Sequence, residues 1–405
     1  MATTDEPGGL MHLLHILDLT EGAAGFCSRL LADLGASVIK VESPGGDSDR
    51  RSGPFPGPVP SPESSLSFRY HNTRKRGITL DIEKAEGRAL FLKLAERADV
   101  VVESFAPGHL ESLDLRYDLL AAVNHRLILA SVTGFGQDGP RSGYRSCDLV
   151  ASAFGGQMAV SGAPSTPPLK PYGDQPAYAA SLFSAVGVLL ALRRRSRTGR
   201  GEWIDVSTQE CAASTLDHVL VRYFQDHVIA KRRGNLSWNG SSFILPCRDG
   251  RIQVNIATQW ETLVEWMAGE GMAGELADEA WKEEGYRQRH IGRLIELMQA
   301  WTRTHSVGEL FELGQAMRFP WAPVASPGEV LESPQLRARG FFREDRDPAD
   351  GISVAWPGAP YRFTPPIETP WKGAPRLGED NLSVYRDELG LSEGEIERLS
   401  ALKVI

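Results

Sequence analysis

Several short runs of this sequence consist almost entirely of apolar residues, and they limit the fold more than any other feature. The clearest are Val-Val-Val at residues 100–102 and Leu-Ile-Leu-Ala-Ser-Val at residues 127–132. A strand with one face in water alternates apolar and polar side chains, whereas a strand without that alternation is covered on both faces. Amphipathic helical patterns separate these runs, so helices are available to cover both faces. The sequence therefore predicts an α/β fold with a parallel sheet.

The predicted elements follow this alternation through the first half of the chain. Strands are predicted at residues 15–19, 36–42, 77–81, 99–104, 127–132 and 202–207. Helices are predicted at residues 24–34, 83–98, 117–124, 149–154, 177–192 and 208–227. A smaller second domain is predicted from a strand at residues 251–256 and helices at residues 261–267, 291–304 and 307–316. The chain is predicted to end in a helical segment within residues 380–405.

The composition argues against several classes of function. The net charge of -8 leaves no basic excess for non-specific binding to nucleic acid. The four cysteines (Cys27, Cys147, Cys211 and Cys247) include no CxxC pair, so neither a metal site nor a disulfide framework is predicted. A reducing cytoplasm fits this pattern. The apolar run at residues 177–192 is shorter than the roughly 20 residues that cross a bilayer, so a buried core helix is predicted rather than a membrane span.

A turn at residues 171–176, Pro-Tyr-Gly-Asp-Gln-Pro, stands directly before the longest apolar run. Pro, Gly and Asp interrupt the preceding chain and Pro176 suits a first helical turn, so a helix is predicted to start at Asp174. The residue types leave two roles open for the Asp174 carboxylate. It caps the helix by accepting hydrogen bonds from free amides, or it is a nucleophile that the helix dipole keeps ionised beside a substrate.

Three loops are candidates for ligand contact. The backbone amides of residues 22–25, Gly-Ala-Ala-Gly, suit an anionic oxygen, although the GxGxxG spacing of a dinucleotide site is missing. Residues 45–51, Gly-Gly-Asp-Ser-Asp-Arg-Arg, are predicted to form a solvated turn. The loop at residues 134–140 follows the strand at residues 127–132. It is predicted to face the site, because ligands of open α/β sheets dock beyond the carboxyl ends of strands.

Charged side chains supply the other candidates. Arg74, Lys75 and Arg76 either form a solvated face or bind a phosphorylated ligand. Asp148 is either a second carboxylate near Asp174 or the N-cap of the helix at residues 149–154, and the cap is favoured. The sequence has no GxSxG motif and no recognisable Ser/His/Asp set, so a hydrolase is not predicted, and the histidines are predicted to be structural or on the surface.

Taken in order, these motifs resemble those of the class III CoA-transferases, or CaiB/BaiF family, which includes formyl-CoA and carnitine-related CoA-transferases and the α-methylacyl-CoA racemases. The resemblance covers nearly the whole chain and depends on no single motif. The matching segments are residues 31–42, 72–81, 101–108, 131–140, 173–174, 194–206, 322–324 and 378–379.

The resemblance implies that Asp174 is similar to the carboxylate that attacks the acyl-CoA thioester in this family. The acyl group and the aspartate form a mixed anhydride, CoA converts it to an aspartyl-CoA thioester, and an incoming carboxylic acid reverses the sequence. Transfer conserves the energy of the thioester, so neither ATP nor a metal is expected, and CoA is a substrate rather than a resident cofactor. The implied CoA contacts are Asn72, Lys75, Arg76, Arg145, Ala23 and Ala24.

The family fold also implies how the chain is divided. A large Rossmann-like domain is expected at residues 1–224, a smaller domain at residues 225–325, and a linker with a segment that returns to the large domain at residues 326–405. Two chains are expected to interlock like links, as a homodimer or as a heteromer with a paralogous subunit. The expected partners are an acyl-CoA and a carboxylic acid, with neither nucleic acid nor membrane.

This chain departs from the family pattern in places that bear on the reaction. Gly22 stands where the family has a glutamine, and Ala106 where an arginine often precedes Pro-Gly. Cys147 precedes Asp148 where the racemase branch has His-Asp, so proton exchange by two bases lacks a partner and transfer is favoured. Residues 233–240 replace the glycine-rich flap of the formyl-CoA branch, which argues for an acid bulkier than oxalate or formate. A racemase or isomerase of the same fold, and a noncatalytic CoA-binding subunit, are the alternatives.

Overall fold

A six-stranded sheet forms the centre of the first of two units in the computed structural model, which describes residues 9–57, 59–346, 351–366 and 369–405. The first unit comprises residues 1–157, 170–225 and 338–405, and the second comprises residues 158–169 and 226–337. The strands of the sheet are β1 (His15–Leu19), β2 (Ser37–Glu42), β3 (Arg76–Thr79), β4 (Val100–Glu103), β5 (Ile128–Thr133) and β6 (Trp203–Ser207).

All neighbouring strands of this sheet are parallel, in the order β3-β2-β1-β4-β5-β6. This is the strand order of a doubly wound Rossmann fold, in which ligands bind where the order reverses, here between β1 and β4. Both faces are covered, because successive side chains of a strand point to opposite sides. Val101 belongs to one core cluster with Leu94, and Val102 to another with Val188. The predicted α/β fold is confirmed.

Helices and turns connect these strands. The α-helices up to residue 226 are α1 (Phe26–Asp33), α2 (Leu66–Asn72), α3 (Ala85–Arg97), α4 (His109–Ser112), α5 (Tyr117–Val123), α6 (Asp148–Phe154), α7 (Gln157–Val160), α8 (Gln175–Thr198), α9 (Thr208–Ser214) and α10 (Asp217–Asp226). Two 3-10 turns are formed by Gly22–Gly25 and Ser48–Arg51. The second of these was predicted to be a solvated turn, which is wrong because Asp49 and Arg50 are both buried.

The helix α8 is longer than its apolar run, with 24 residues. The polar residues after residue 192 continue it, and Gly199, at a φ of 72°, ends it in the left-handed conformation that glycine adopts without strain. Ala185, Val188 and Ala191 bury one face of α8 in the same core cluster as residues of β1, β4 and β5. Although α8 is long and apolar enough to cross a membrane, this packing is that of a core helix.

One predicted helix is two in the structure. Residues 208–227 were predicted as a single helix, but α9 ends at Ser214 and α10 begins at Asp217. The Ser207 side chain caps α9 by accepting a hydrogen bond from the backbone N–H of Glu210. None of the residues of α10 is buried.

The second unit is built on a small antiparallel sheet in the order β7-β8-β9. Its strands are β7 (Ser242–Pro246), β8 (Arg251–Asn255) and β9 (Ala322–Pro323), and the helices that follow β8 are α11 (Trp260–Gly269), α12 (Glu284–Arg289), α13 (Ile291–Thr302), α14 (Val307–Ala316), α15 (Pro327–Glu332) and α16 (Pro334–Ala338). Short 3-10 turns span Gly274–Ala277 and Glu279–Lys282. Trp301 and Trp321 are buried in its core.

The C-terminal segment is part of the first unit and packs beside β3. It contains the antiparallel pair β10 (Phe342–Arg346) and β11 (Ser353–Pro357), a π-helical turn (Ser383–Glu388) and α17 (Glu393–Ala401). The hydroxyl of Tyr385 donates to the backbone oxygen of Thr79 at 2.7 Å. The backbone N–H of Asp81 donates to the oxygen of Val404, also at 2.7 Å. The last residues of the chain therefore complete the edge of the sheet beside β3.

Candidate active site

The carboxylate of Asp174 stands at the start of α8 without capping it. Asp174 is the residue that precedes the helix, yet its side chain makes no capping hydrogen bond and is 59% exposed. Gly173, at a φ of 75°, turns the chain sharply just before it, and Pro176 lies in the first turn of the helix. Of the two roles that the sequence leaves open for the Asp174 carboxylate, capping is therefore not found in the structure, and the carboxylate is largely exposed to solvent.

A different carboxylate satisfies the first turn of α8. Oδ1 of Asp148 accepts a hydrogen bond from the backbone N–H of Ala177 at 3.1 Å. Asp148 does not cap its own helix, because α6 begins at Asp148 itself and Cys147 occupies the N-cap position. Asp148 therefore caps a helix, as predicted, but that helix is α8 rather than α6. The alternative, a second carboxylate near Asp174, is what the structure contains.

Lys170 joins the two carboxylates. Its Nζ lies 2.8 Å from Oδ2 of Asp148 and 3.7 Å from Oδ1 of Asp174. The ammonium also donates to the backbone oxygen of Gly173. Sequence reasoning missed Lys170, and the only local signal was its spacing of four residues from Asp174, which by itself is a weak indication of an ion pair.

A cleft of about 680 Å³ is lined by Asp148 and by Ala177 of α8, whereas Asp174 and Lys170 are not among its lining residues. It lies beyond the carboxyl ends of β1, β4 and β5, where the strand order predicts a ligand site. The loop at residues 142–148 forms one wall, and Ala177 of α8 reaches another. The cleft is large enough for an extended organic ligand.

Three of the predicted CoA contacts line this cleft. Ala23 and Ala24 belong to the 3-10 turn after β1, and Arg145 belongs to the loop before α6. The Ser181 hydroxyl of α8 donates to the backbone oxygen of Ala23 at 2.8 Å, which ties the turn to the helix. Arg145 is exposed, and no hydrogen bond or ion pair of its guanidinium is found among the described residues.

The other three predicted contacts have partners inside the fold. The Nζ of Lys75 is fully buried and lies 2.6 Å from Oδ2 of Asp18, 2.8 Å from Oδ1 of Asn72 and 2.9 Å from the oxygen of Gly25. Burial lowers the pKa of Lys75, although the Asp18 charge opposes that shift. Arg76 forms an ion pair with Glu388 of the C-terminal segment. Lys75, Asn72 and Arg76 thus have partners within the protein, and their contact with CoA stays a prediction.

The start of α8 is also held from its opposite side. Tyr178 lies one turn after Asp174, and its hydroxyl is 3.0 Å from Nε2 of His71. Nδ1 of His71 in turn lies 2.9 Å from Oδ2 of Asp49. Burial raises the pKa of Asp49, but hydrogen bonds from His71 and Ser67 outweigh it and leave the pKa below its usual range. Asp49, His71 and Tyr178 thus form one chain of side-chain hydrogen bonds that ends at α8.

The fold agrees with what similarity to known proteins shows. The chain belongs to CoA-transferase family III, whose model matches residues 12–381. It is therefore a CoA-transferase, and the predicted family is confirmed.

Two curated relatives and one solved structure are similar over almost the whole chain. The chain is 34% identical over 396 residues to the succinyl-CoA:(R)-benzylsuccinate CoA-transferase subunit BbsE of Thauera aromatica, covering 95% of each chain. It is 33% identical to a succinyl-CoA:mesaconate CoA-transferase of Haloarcula hispanica, covering 95% of this chain and 98% of the relative. A CAIB/BAIF family protein from Brucella suis matches with a TM-score of 0.85 at 29% identity, covering 94% of this chain and 99% of that protein.

Proposed function

We propose that this chain moves CoA from an acyl-CoA thioester to a carboxylic acid through covalent intermediates on Asp174. The observation that supports the proposal is that the Asp174 carboxylate is free of capping, because Asp148 satisfies the helix start in its place. A carboxylate needs an unshared oxygen to act as a nucleophile. The helix dipole places partial positive charge at the N-terminus of α8, beside this carboxylate.

The reaction begins when an oxygen of Asp174 attacks the thioester carbonyl. The C–S bond breaks, CoA leaves as a thiolate, and the acyl group and Asp174 form a mixed anhydride. The thiolate attacks the aspartyl carbonyl, which releases the donor acid as a carboxylate and leaves an aspartyl-CoA thioester. The acceptor carboxylate then repeats these steps in reverse order and leaves as the new acyl-CoA. No proton is consumed, and each intermediate must be kept from water.

Ala23, Ala24 and Arg145 are the proposed contacts of CoA, since they line the cleft beside Ala177. The exposed guanidinium of Arg145 suits a phosphate of CoA. Backbone amides of the 3-10 turn are proposed to face the tetrahedral oxyanions. Because two of the relatives are named as transferases that use succinyl-CoA, succinyl-CoA is the donor we propose to test first.

The site residues test the proposal directly. With succinyl-CoA and hydroxylamine, the wild-type chain is expected to carry a hydroxamate on Asp174, which peptide mass spectrometry locates. Asp174→Ala is expected to lower CoA transfer by at least about 10³-fold, since removal of a covalent nucleophile removes the whole pathway. Asp278→Ala, at an exposed aspartate of the second unit, is the matched control. Unchanged turnover in Asp174→Ala would refute the proposal, and α-carbon deuterium exchange without CoA transfer would select the racemase instead.

We also propose that the enzyme works in the cytoplasm as an interlocked dimer. The four cysteines are free thiols, as a reducing compartment allows. A homodimer is the first expectation, and a heteromer with a paralogous chain is the second, because the relative from Thauera aromatica is named as a subunit.

A further inference from the structure

The ammonium of Lys170 lies close to both carboxylates of the candidate site. Its ammonium lies 2.8 Å from Asp148 and 3.7 Å from Asp174, and its side chain is 25% exposed. Oδ2 of Asp148 is buried, and the Lys170 ammonium at 2.8 Å is its compensating charge. Asp148 thus anchors Lys170, while Asp174 is its second and more distant partner.

The following inference rests on the proposed covalent role of Asp174. In the free enzyme Asp174 carries a negative charge, and in the aspartyl-CoA thioester it carries none. The site then contains Lys170 with one carboxylate partner fewer, at the moment when an acceptor carboxylate has to enter. A cation that loses one of two neighbouring anions attracts another anion to the vacated position.

We propose that Lys170 binds the carboxylate of the acid substrate whenever Asp174 is esterified to CoA. The acceptor carboxylate takes the place of the Asp174 carboxylate beside Nζ. One of its oxygens attacks the aspartyl carbonyl, the new C–O bond forms, the C–S bond breaks, and the electron pair leaves with the CoA thiolate. The negative charge passes from acid to thiolate and finally back to Asp174, so Lys170 always has an anion to pair with.

This role differs from that of a residue that only fixes the loop. A purely structural Lys170 would hold Gly173 and Asp148 in place, and its loss would slow every reaction of the aspartyl thioester equally. A carboxylate-binding Lys170 matters only for an anionic nucleophile. Hydroxylamine is neutral at pH 7 and reports on the same thioester, so it separates the two roles.

The experiment uses the full chain loaded with CoA from succinyl-CoA and rapidly desalted. Discharge of the thioester is then timed with succinate and, separately, with hydroxylamine. Lys170→Met is expected to slow discharge by succinate by roughly 10- to 100-fold, the usual effect of losing a charge-assisted hydrogen bond. Discharge by hydroxylamine is expected to stay within about twofold, and Lys170→Arg is expected to restore most of the succinate rate because it keeps the charge.

The outcomes that contradict the inference are distinct from failure of the proposed function. Equal slowing with both nucleophiles would assign Lys170 a structural role, and slowing with neither would leave it without a role. In both cases Asp174 would still carry the thioester. Absence of any thioester on wild-type Asp174 would refute the covalent mechanism itself. Lys231→Met, at an exposed lysine of the second unit, is the control for loss of one positive charge.

Discussion

Two aspartates at the candidate site show that the role of a residue depends on the backbone around it. Asp148 and Asp174 both stand near helix starts, and each was considered a capping residue from sequence. Of the two side chains, only that of Asp148 accepts a hydrogen bond from a helical amide, and this amide belongs to α8. The geometry that decides this is tertiary, so residue type and position along the chain could not predict it.

Glu103, at the end of β4, is a carboxyl group whose environment favours its protonated form. Burial raises its pKa to about 7, while hydrogen bonds from Ser131 and the backbone N–H of Phe105 act in the opposite direction. The folded state therefore keeps a proton that the unfolded chain releases near pH 4.5. The stability associated with this proton is complete at low pH and is lost as the pH rises through about 7.

Replacing Glu103 by glutamine removes this pH dependence. Glu103→Gln is expected to raise the free energy of unfolding at pH 8 by up to about 3 kcal/mol and to change it little at pH 4. Denaturant titrations at the two pH values measure the difference. Glu111→Gln, at an exposed glutamate, is the control. An equal change at both pH values would mean that Glu103 is not a buried acid.

The helix α8 connects the sheet to the candidate nucleophile, and its first turn is held from two sides. On one side Asp148 accepts from the backbone of Ala177, and on the other Tyr178 reaches His71 and through it Asp49. These contacts fix the direction of α8 where it begins, next to Asp174. Asp174 thus gains a defined position without making a capping bond of its own.

Removing the Tyr178 hydroxyl tests this arrangement. Tyr178→Phe leaves Nε2 of His71 without its partner, so a loss of about 1 kcal/mol in unfolding free energy is expected. Transfer is expected to slow several-fold through kcat, because the position of Asp174 is less well fixed. Tyr172→Phe removes a hydroxyl from a side chain that is 99% exposed, and it should change neither quantity. Unchanged stability in Tyr178→Phe would contradict a tether at this residue.

Elements with a strong period were predicted well. The bounds of β1 and α14 agree with the sequence prediction, and in α14 helical apolar spacing marks both ends. The break between α9 and α10 was missed, because Thr215 and Leu216 do not interrupt the helical pattern. The turn Ser48–Arg51 was misjudged because its charged residues look solvated in sequence, whereas Arg50 is buried against Glu42 at 2.6 Å.

At the scale of the whole molecule, the order of motifs along the chain predicted the family and the fold. It could not show which basic side chains have acidic partners within the protein. Lys75 was predicted to contact phosphate and is buried against Asp18. Lys170 was not predicted as a site residue and lies between Asp148 and Asp174. The partners of each lysine depend on how segments that are distant in sequence pack together. The residues next to each lysine in sequence do not reveal this packing.

Exposed apolar side chains on α10 lead to a prediction about assembly. None of the residues of α10 is buried, and Val221 and Phe224 are 63% and 76% exposed. Adjacent apolar side chains at this exposure are typical of a surface that a second chain covers. The proposed dimer would bury them, and each large apolar side chain removed from water contributes roughly 2 kcal/mol.

Sedimentation of the purified chain at micromolar concentration measures this contribution. The wild-type chain is expected to be a dimer, and the double variant Val221→Ser, Phe224→Ser is expected to weaken association by at least about 100-fold. Val59→Ser, at a side chain that is 76% exposed in a loop, should leave association unchanged and controls for surface polarity alone. If the double variant associates as tightly as the wild type, α10 is not part of the interface. A monomeric wild-type chain would exclude the homodimer and favour a paralogous partner, because the apolar surface of α10 would still need a chain to cover it.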